Sequence, residues 1–143
     1  MLDDVYNRRI LTLAANIPRI GRLDAPDGTA EAHARLCGSR VTVDVRVADG
    51  RIVDFAHDVK ACALGQASSA IMASHVIGAD LAELEELRER VWRMLDADGA
   101  PPEGKWADCA LLEPIRAYRA RHASTLLTFD ATLAALRQAL GKG

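Results

Sequence analysis

From residue 41 to residue 47 the chain alternates strictly. Valine occupies positions 41, 43, 45 and 47, with Thr42, Asp44 and Arg46 between them. A period of two predicts a strand with one face on a core and the other in water. Ala48-Asp49-Gly50 follows, and Asp-Gly between alternating stretches predicts a tight hairpin whose return strand runs from Ile52 to His57. Glu31 to Leu36 alternates more weakly and predicts a third strand at the sheet edge.

Elsewhere the period is helical. Leu2, Tyr6, Ile10 and Leu13 share one helix face, and Pro18 and Gly21 end that segment before a polar loop through Asp24 to Gly28. Ala63 to Ile77 is rich in Ala and Ser and predicts a helix stopped at Gly78. Asp80 is placed to cap a further helix carrying Leu84, Leu87, Val91 and Met94. Asp98 to Gly104 reads as a loop. A helix from about Cys109 presents Leu112, Ile115 and Tyr118, with Pro114 early enough to kink it. A last helix carries Phe129, Leu133, Leu136 and Leu140 and ends at Gly141.

Strands come first and helices mostly after. That order predicts an α+β fold, with a small three-stranded antiparallel sheet packed against helices. A chain of 143 residues, half of them hydrophobic, suits one domain spanning residues 1–143, with a C-terminal helical extension from about residue 122. The net charge is −2 and the arginines are dispersed, so the basic stripe of a nucleic-acid binder is missing. No apolar run approaches the ~20 residues of a membrane span. The acidic start, Met1-Leu2-Asp3-Asp4, lacks the apolar stretch of a secretory leader, and the cysteine count is odd. Both point to a reducing cytoplasm.

The three cysteines are far apart in the chain, each beside a turn or helix start and close to basic residues. Cys37 lies between Arg35 and Arg40 and precedes Gly38. Cys62 follows Lys60 and precedes the Ala/Ser helix. Cys109 follows Lys105 at the expected start of the next-to-last helix. Thiolate is the form that binds metal and attacks sulfur, and a helix N-terminus or a nearby cation favours it. Gly38 and Gly65 would let backbone approach a bound group closely. The competing reading is that each cysteine is a small, inert, buried hydrophobe.

Three stretches resemble the U-type iron–sulfur cluster assembly scaffolds, the family of IscU, SufU and the NifU N-terminal domain. Residues 37–43, Cys-Gly-Ser-Arg-Val-Thr-Val, resemble that family's Cys-Gly-Asp turn and following strand. Asp49 to Asp54 followed by Lys60 to Ala70 resembles its hairpin and second-cysteine helix start. Residues 108–112, Asp-Cys-Ala-Leu-Leu, resemble its third-cysteine helix, and Tyr6 to Gly21 is a looser version of its N-terminal segment. The resemblance covers roughly residues 5–120. It implies a three-stranded antiparallel sheet flanked by helices, and Cys37, Cys62 and Cys109 as ligands of a transient [2Fe–2S] cluster or of Zn²⁺. It implies sulfur delivered by a cysteine desulfurase, onward transfer to apo-proteins, and a carrier rather than an enzyme.

Two departures from the family pattern leave the fourth donor open. Ser39 stands where the family has Asp, and Asp108 where the IscU kind has His. Either can supply an oxygen, or Asp108 can be a helix cap and Ser39 a turn hydroxyl. Pro101 to Lys105 is similar to the chaperone-recognition segment of the IscU kind, but its register differs and chaperone binding is not carried over. His57, near Cys62, is a further candidate ligand; His33, His75 and His122 are assigned no role. Two alternatives stand beside the scaffold reading. One is a diverged scaffold fold with a structural or vestigial zinc site. The other is a cysteine-nucleophile enzyme with His57 as its base.

Overall fold

The computed structural model describes residues 7–35 and 38–141. Helix α1 is Arg8–Ala15, capped by Asn7, whose Oδ1 accepts from the Ile10 amide at 3.0 Å. Leu2 and Tyr6, expected on its face, lie outside the described residues. Strands β1 (Gly28–Ala34), β2 (Ser39–Ala48) and β3 (Arg51–Lys60) form an antiparallel sheet in the order β1-β2-β3. This is the α+β meander that the alternation predicts. Asp49 and Gly50 close the β2–β3 hairpin with φ of 53° and 78°. Two successive left-handed residues match the twist of the flanking strands. Opposite Arg46 and Val47 the register slips by one residue and leaves Val53 bulged and exposed.

The edge strand starts earlier than its sequence pattern, at Gly28 rather than Glu31. The cause is Gly28 itself. A side chain there would collide with the backbone at Ala135 and Ala139, so the missing Cβ lets the last helix lie directly on β1. That helix, α4 (His122–Ala139), packs on β1, β2, helix α2 (Ala63–His75) and helix α3 (Leu81–Asp96), and buries Leu126, Phe129, Leu133 and Leu136. It lies over the sheet as part of the same core.

Helix α2 (Ala63–His75) is buried nearly all round, between α1, α4 and β3. Its Ala, Gly and Ser content allows that close fit. It ends at His75, three residues before the expected Gly78. The amide of Gly78 (φ 91°) bonds to Ile52 O at 2.7 Å and ties the exit of the helix to β3. Helix α3 (Leu81–Asp96) is capped by Asp80, which accepts from the Glu83 amide at 2.9 Å, and buries the expected Leu84, Leu87, Val91 and Met94. The expected α-helix from Cys109 is corrected. Gly104–Ala117 is instead a run of 3₁₀ turns, broken at Trp106 (φ −102°, ψ 20°) and carrying Pro114 inside. Proline removes a helical amide and crowds the preceding turn, and short tight turns tolerate such interruptions better than a continuous α-helix. Among the described residues no helix is long and apolar enough to cross a membrane.

The outer face of β2 is not simply wet. Arg46 is exposed, but Asp44 is wholly buried, because residues 22–29 fold over it. Its carboxylate accepts from Arg22 Nε at 2.7 Å, Arg22 Nη2 at 3.1 Å, the Leu23 amide at 3.0 Å and Thr29 Oγ1 at 2.7 Å. Burial pushes the Asp44 carboxyl upward, but these bonds and the Arg22 charge outweigh it and hold the group below its ordinary range. His57 is also buried, opposite Val43. Burial lowers its affinity for a proton, and the Pro18 carbonyl and Asp58 offset this only in part.

Both shifts act in the same direction on stability. The unfolded chain binds protons more readily at His57 below about pH 6.5, and at Asp44 below about pH 4. Stability is therefore expected to decline in two steps on acidification, first below about 6.5 and again below about 4. Urea midpoints measured across that range check this. Replacing His57 with Gln should remove the first step alone.

Candidate metal and sulfur site

Cys62 sits where β3 gives way to α2. It is the N-cap residue, with extended backbone (φ −67°, ψ 173°) and no side-chain capping bond. Its partly exposed thiol donates to Ser124 Oγ at 3.7 Å. Ser124 lies 62 residues further along, in the first turn of α4, and is 2% exposed. Its hydroxyl donates in turn to Arg121 O at 3.2 Å. Gly65 makes this meeting of helix ends feasible: a Cβ there would come within 3.2 Å of Ser124 O and 2.7 Å of Ala61 Cβ. Its missing side chain serves helix approach.

Cys37 lies outside the described residues. The chain around it is placed by register. Ala34 pairs with Ser39 and Arg40 pairs with Lys60, so the β1–β2 connection leaves the sheet at the end where Lys60 leads into Cys62. Ser39 is not a turn residue. It opens β2, opposite Ala34, and is 3% exposed. Arg40 points toward Glu31, with Nε 3.9 Å from Oε2.

Cys109 and Asp108 are not brought to Cys62. Asp108 Oδ2 is 2.8 Å from His75 Nε2, at the last turn of α2. The edge of the Trp106 ring meets His75, and Lys105 reaches Ile77 O and Glu83. Cys62 caps the opposite end of that 13-residue helix, and at ~1.5 Å per residue Cys62 and His75 are about 20 Å apart. Three expectations are corrected together. Cys109 does not open a helix, Asp108 is a partner of His75 and not a cap, and Lys105 faces other groups. Cys109 is wholly buried in the hydrophobic core. Burial, with the Asp108 charge second, pushes its thiol up to about 12, well away from the reactive range. The His57 ring is engaged elsewhere: its Nε2 contacts Pro18 O at 2.8 Å and its ring meets Phe55. Among the described residues no three His, Cys, Asp or Glu side chains form a metal-holding group.

The two described thiols should therefore differ sharply toward an alkylating agent. At about pH 8, iodoacetamide is expected to modify Cys62 quickly and to leave Cys109 unmodified until the chain is unfolded. Peptide mass mapping over time checks this; equal rates at both would show that Cys109 is accessible.

Ser124 is the site residue that sequence reading misses. His122 to Thr125 reads only as the start of a helix, and nothing local marks a serine as facing a thiol 62 positions earlier. The His75–Asp108 pair is invisible for the same reason.

Known proteins resemble this chain in sequence and fold. The iron–sulfur cluster assembly scaffold protein IscU of Thermotoga maritima is 28% identical over 134 residues, covering 94% of each chain. The crystal structure of a nitrogen-fixing NifU-like protein (N-terminal) from Brucella abortus superimposes with a TM-score of 0.95 at 55% identity, covering 99% of each chain. A putative iron–sulfur cluster assembly scaffold protein for the SUF system from Fervidobacterium islandicum shares the fold, with a TM-score of 0.85 at 22% identity over 94% of this chain and 98% of its own. Residues 5–125 match the NifU-like N terminal domain, and the chain belongs to that family.

Proposed function

We propose that the chain is an iron–sulfur cluster assembly scaffold, a carrier whose chemistry is thiol exchange and metal handling, without a turnover reaction of its own. The observation that carries the reading is the partly exposed Cys62 thiol at the N-terminus of α2, facing a second donor atom from a different element. The scaffold name of the Thermotoga maritima relative and membership of the NifU-like N terminal domain family support it.

In this reading Cys62 and Cys37 take up sulfur and iron as cargo. A cysteine desulfurase presents a persulfide. The Cys62 thiolate attacks its outer sulfur, a new S–S bond forms at Cys62, and the donor's S–S bond breaks as the donor cysteine leaves as thiolate. Two thiolates with oxygen donors can then hold iron, or Zn²⁺ between transfers, until an apo-protein accepts the product. Such thiols need a reducing compartment, which suits the cytoplasm. Cys109 has no part in this, because its thiol is enclosed in the core.

The test is anaerobic incubation of the reduced chain with a cysteine desulfurase, cysteine and ferrous iron. Visible absorbance of a cluster and sulfane sulfur mapped to Cys62 are the expected results. Absence of both would sink the reading.

A further inference from the structure

We infer that position 124 is the third protein donor position of the Cys62 site, and that the hydroxyl placed there makes the site's grip on soft cations weak. The inference rests on the scaffold reading for its location and goes beyond it in naming the residue that sets retention.

Cys62 Sγ and Ser124 Oγ are 3.7 Å apart. Two donors on one tetrahedral cation, a sulfur at ~2.3 Å and an oxygen at ~2.1 Å, lie about 3.6 Å from each other. The pair thus already has the spacing of one edge of a coordination tetrahedron. Ser124 is held there by its surroundings. It is buried in the first turn of α4, anchored through Arg121 O, and pressed against α2 at Gly65. Cys109, the other candidate for a third donor, is a core residue next to Asp108, which is engaged by the far end of α2.

The chemistry of the donor decides the consequence. A neutral serine hydroxyl is a poor ligand at neutral pH, whereas a thiolate binds Zn²⁺ and other soft cations strongly. A site with two thiolates and a hydroxyl holds its cargo loosely and gives it up to competing thiols.

The experiment uses the full reduced chain and Co²⁺ or Zn²⁺ alone. Cobalt reports sulfur ligands through thiolate charge-transfer absorbance, and zinc affinity is read by competition with a chelator. The native chain is expected to show two thiolates per cobalt. Ser124→Cys should raise the charge-transfer intensity per cobalt by about half, as two sulfurs become three, and tighten zinc binding about ten-fold or more. Cys109→Ala in the native background should leave both unchanged. A folded Ser124→Cys chain with native intensity and affinity would overturn the inference. So would loss of a thiolate ligand in Cys109→Ala, a measurement that stands even where the first variant folds poorly. Either result leaves the scaffold reading intact if Cys62 still loads sulfur; failure of Cys62 to load sulfur in the desulfurase assay removes that reading separately.

Discussion

Cys62→Ser is expected to remove sulfur loading at position 62 and to reduce iron loading sharply, while leaving the fold as stable as before, or slightly more so. The two halves of that result have separate causes. Loading depends on a thiolate, and no other described thiol is accessible to replace it, because Cys109 is buried with its thiol pushed up to about 12. Stability depends on the helix cap. Cys62 occupies the N-cap of α2 yet makes no capping bond. Serine is among the preferred N-cap residues and would satisfy a free amide of the first turn, worth about 0.5–1 kcal/mol. The native cysteine therefore sits where a better cap is available, the pattern expected when a position is retained for chemistry at some cost in stability. Absorbance and sulfane-sulfur assays read the first half, and thermal denaturation reads the second. Cluster formation at the native level in Cys62→Ser would remove Cys62 from the site. A large fall in stability would show that the thiol is a packing group.

Asp44→Ala is expected to lower stability by about 3 kcal/mol. The carboxylate is wholly buried and accepts bonds from Arg22, Leu23 and Thr29. Removing it leaves the Leu23 amide and the Thr29 hydroxyl without their acceptor under the loop. Arg22 suffers less, since its side chain is 55% exposed and water can take over. At roughly 3 °C per kcal/mol for a chain of this size, the melting midpoint should drop by about 10 °C. Asp44→Asn should cost less, because the amide oxygen still accepts, and should abolish the step in stability below about pH 4. A midpoint within about 2 °C of native for Asp44→Ala would show that residues 22–29 are held by other contacts.

The elements that sequence alone made legible are those whose physics is local. The valines at 41, 43 and 45 encode a strand by their period, and Asp49-Gly50 encodes the turn by its backbone freedom. Asp80 encodes a helix start through one side-chain bond, and residues 84 to 94 encode a buried stripe. Each depends on neighbours within a few positions. Where a distant segment intervened, local patterns misled. Asp44 reads as a solvent-facing strand residue until residues 22–29 cover it, and Glu31 reads as the strand start until α4 settles on Gly28. The 104–117 segment reads as an α-helix because its apolar spacing is helical, but Pro114 and the break at Trp106 favour tighter turns.

The candidate site divides the same way. Family membership, the antiparallel meander with its helices, and Cys62 at the mouth of α2 were all determined by the order of residues, because motif and period survive without coordinates. Which atom faces that thiol was not. Cys109 resembles a ligand by its neighbours in sequence, yet it is enclosed in the core beside Asp108, which pairs with His75 at the other end of α2. Ser124 resembles nothing in particular, yet it lies 3.7 Å from Cys62 Sγ. Only the packing of α4 against α2 across Gly65 could decide between them, because distance through space between residues remote in the chain is set by helix packing and by no local pattern.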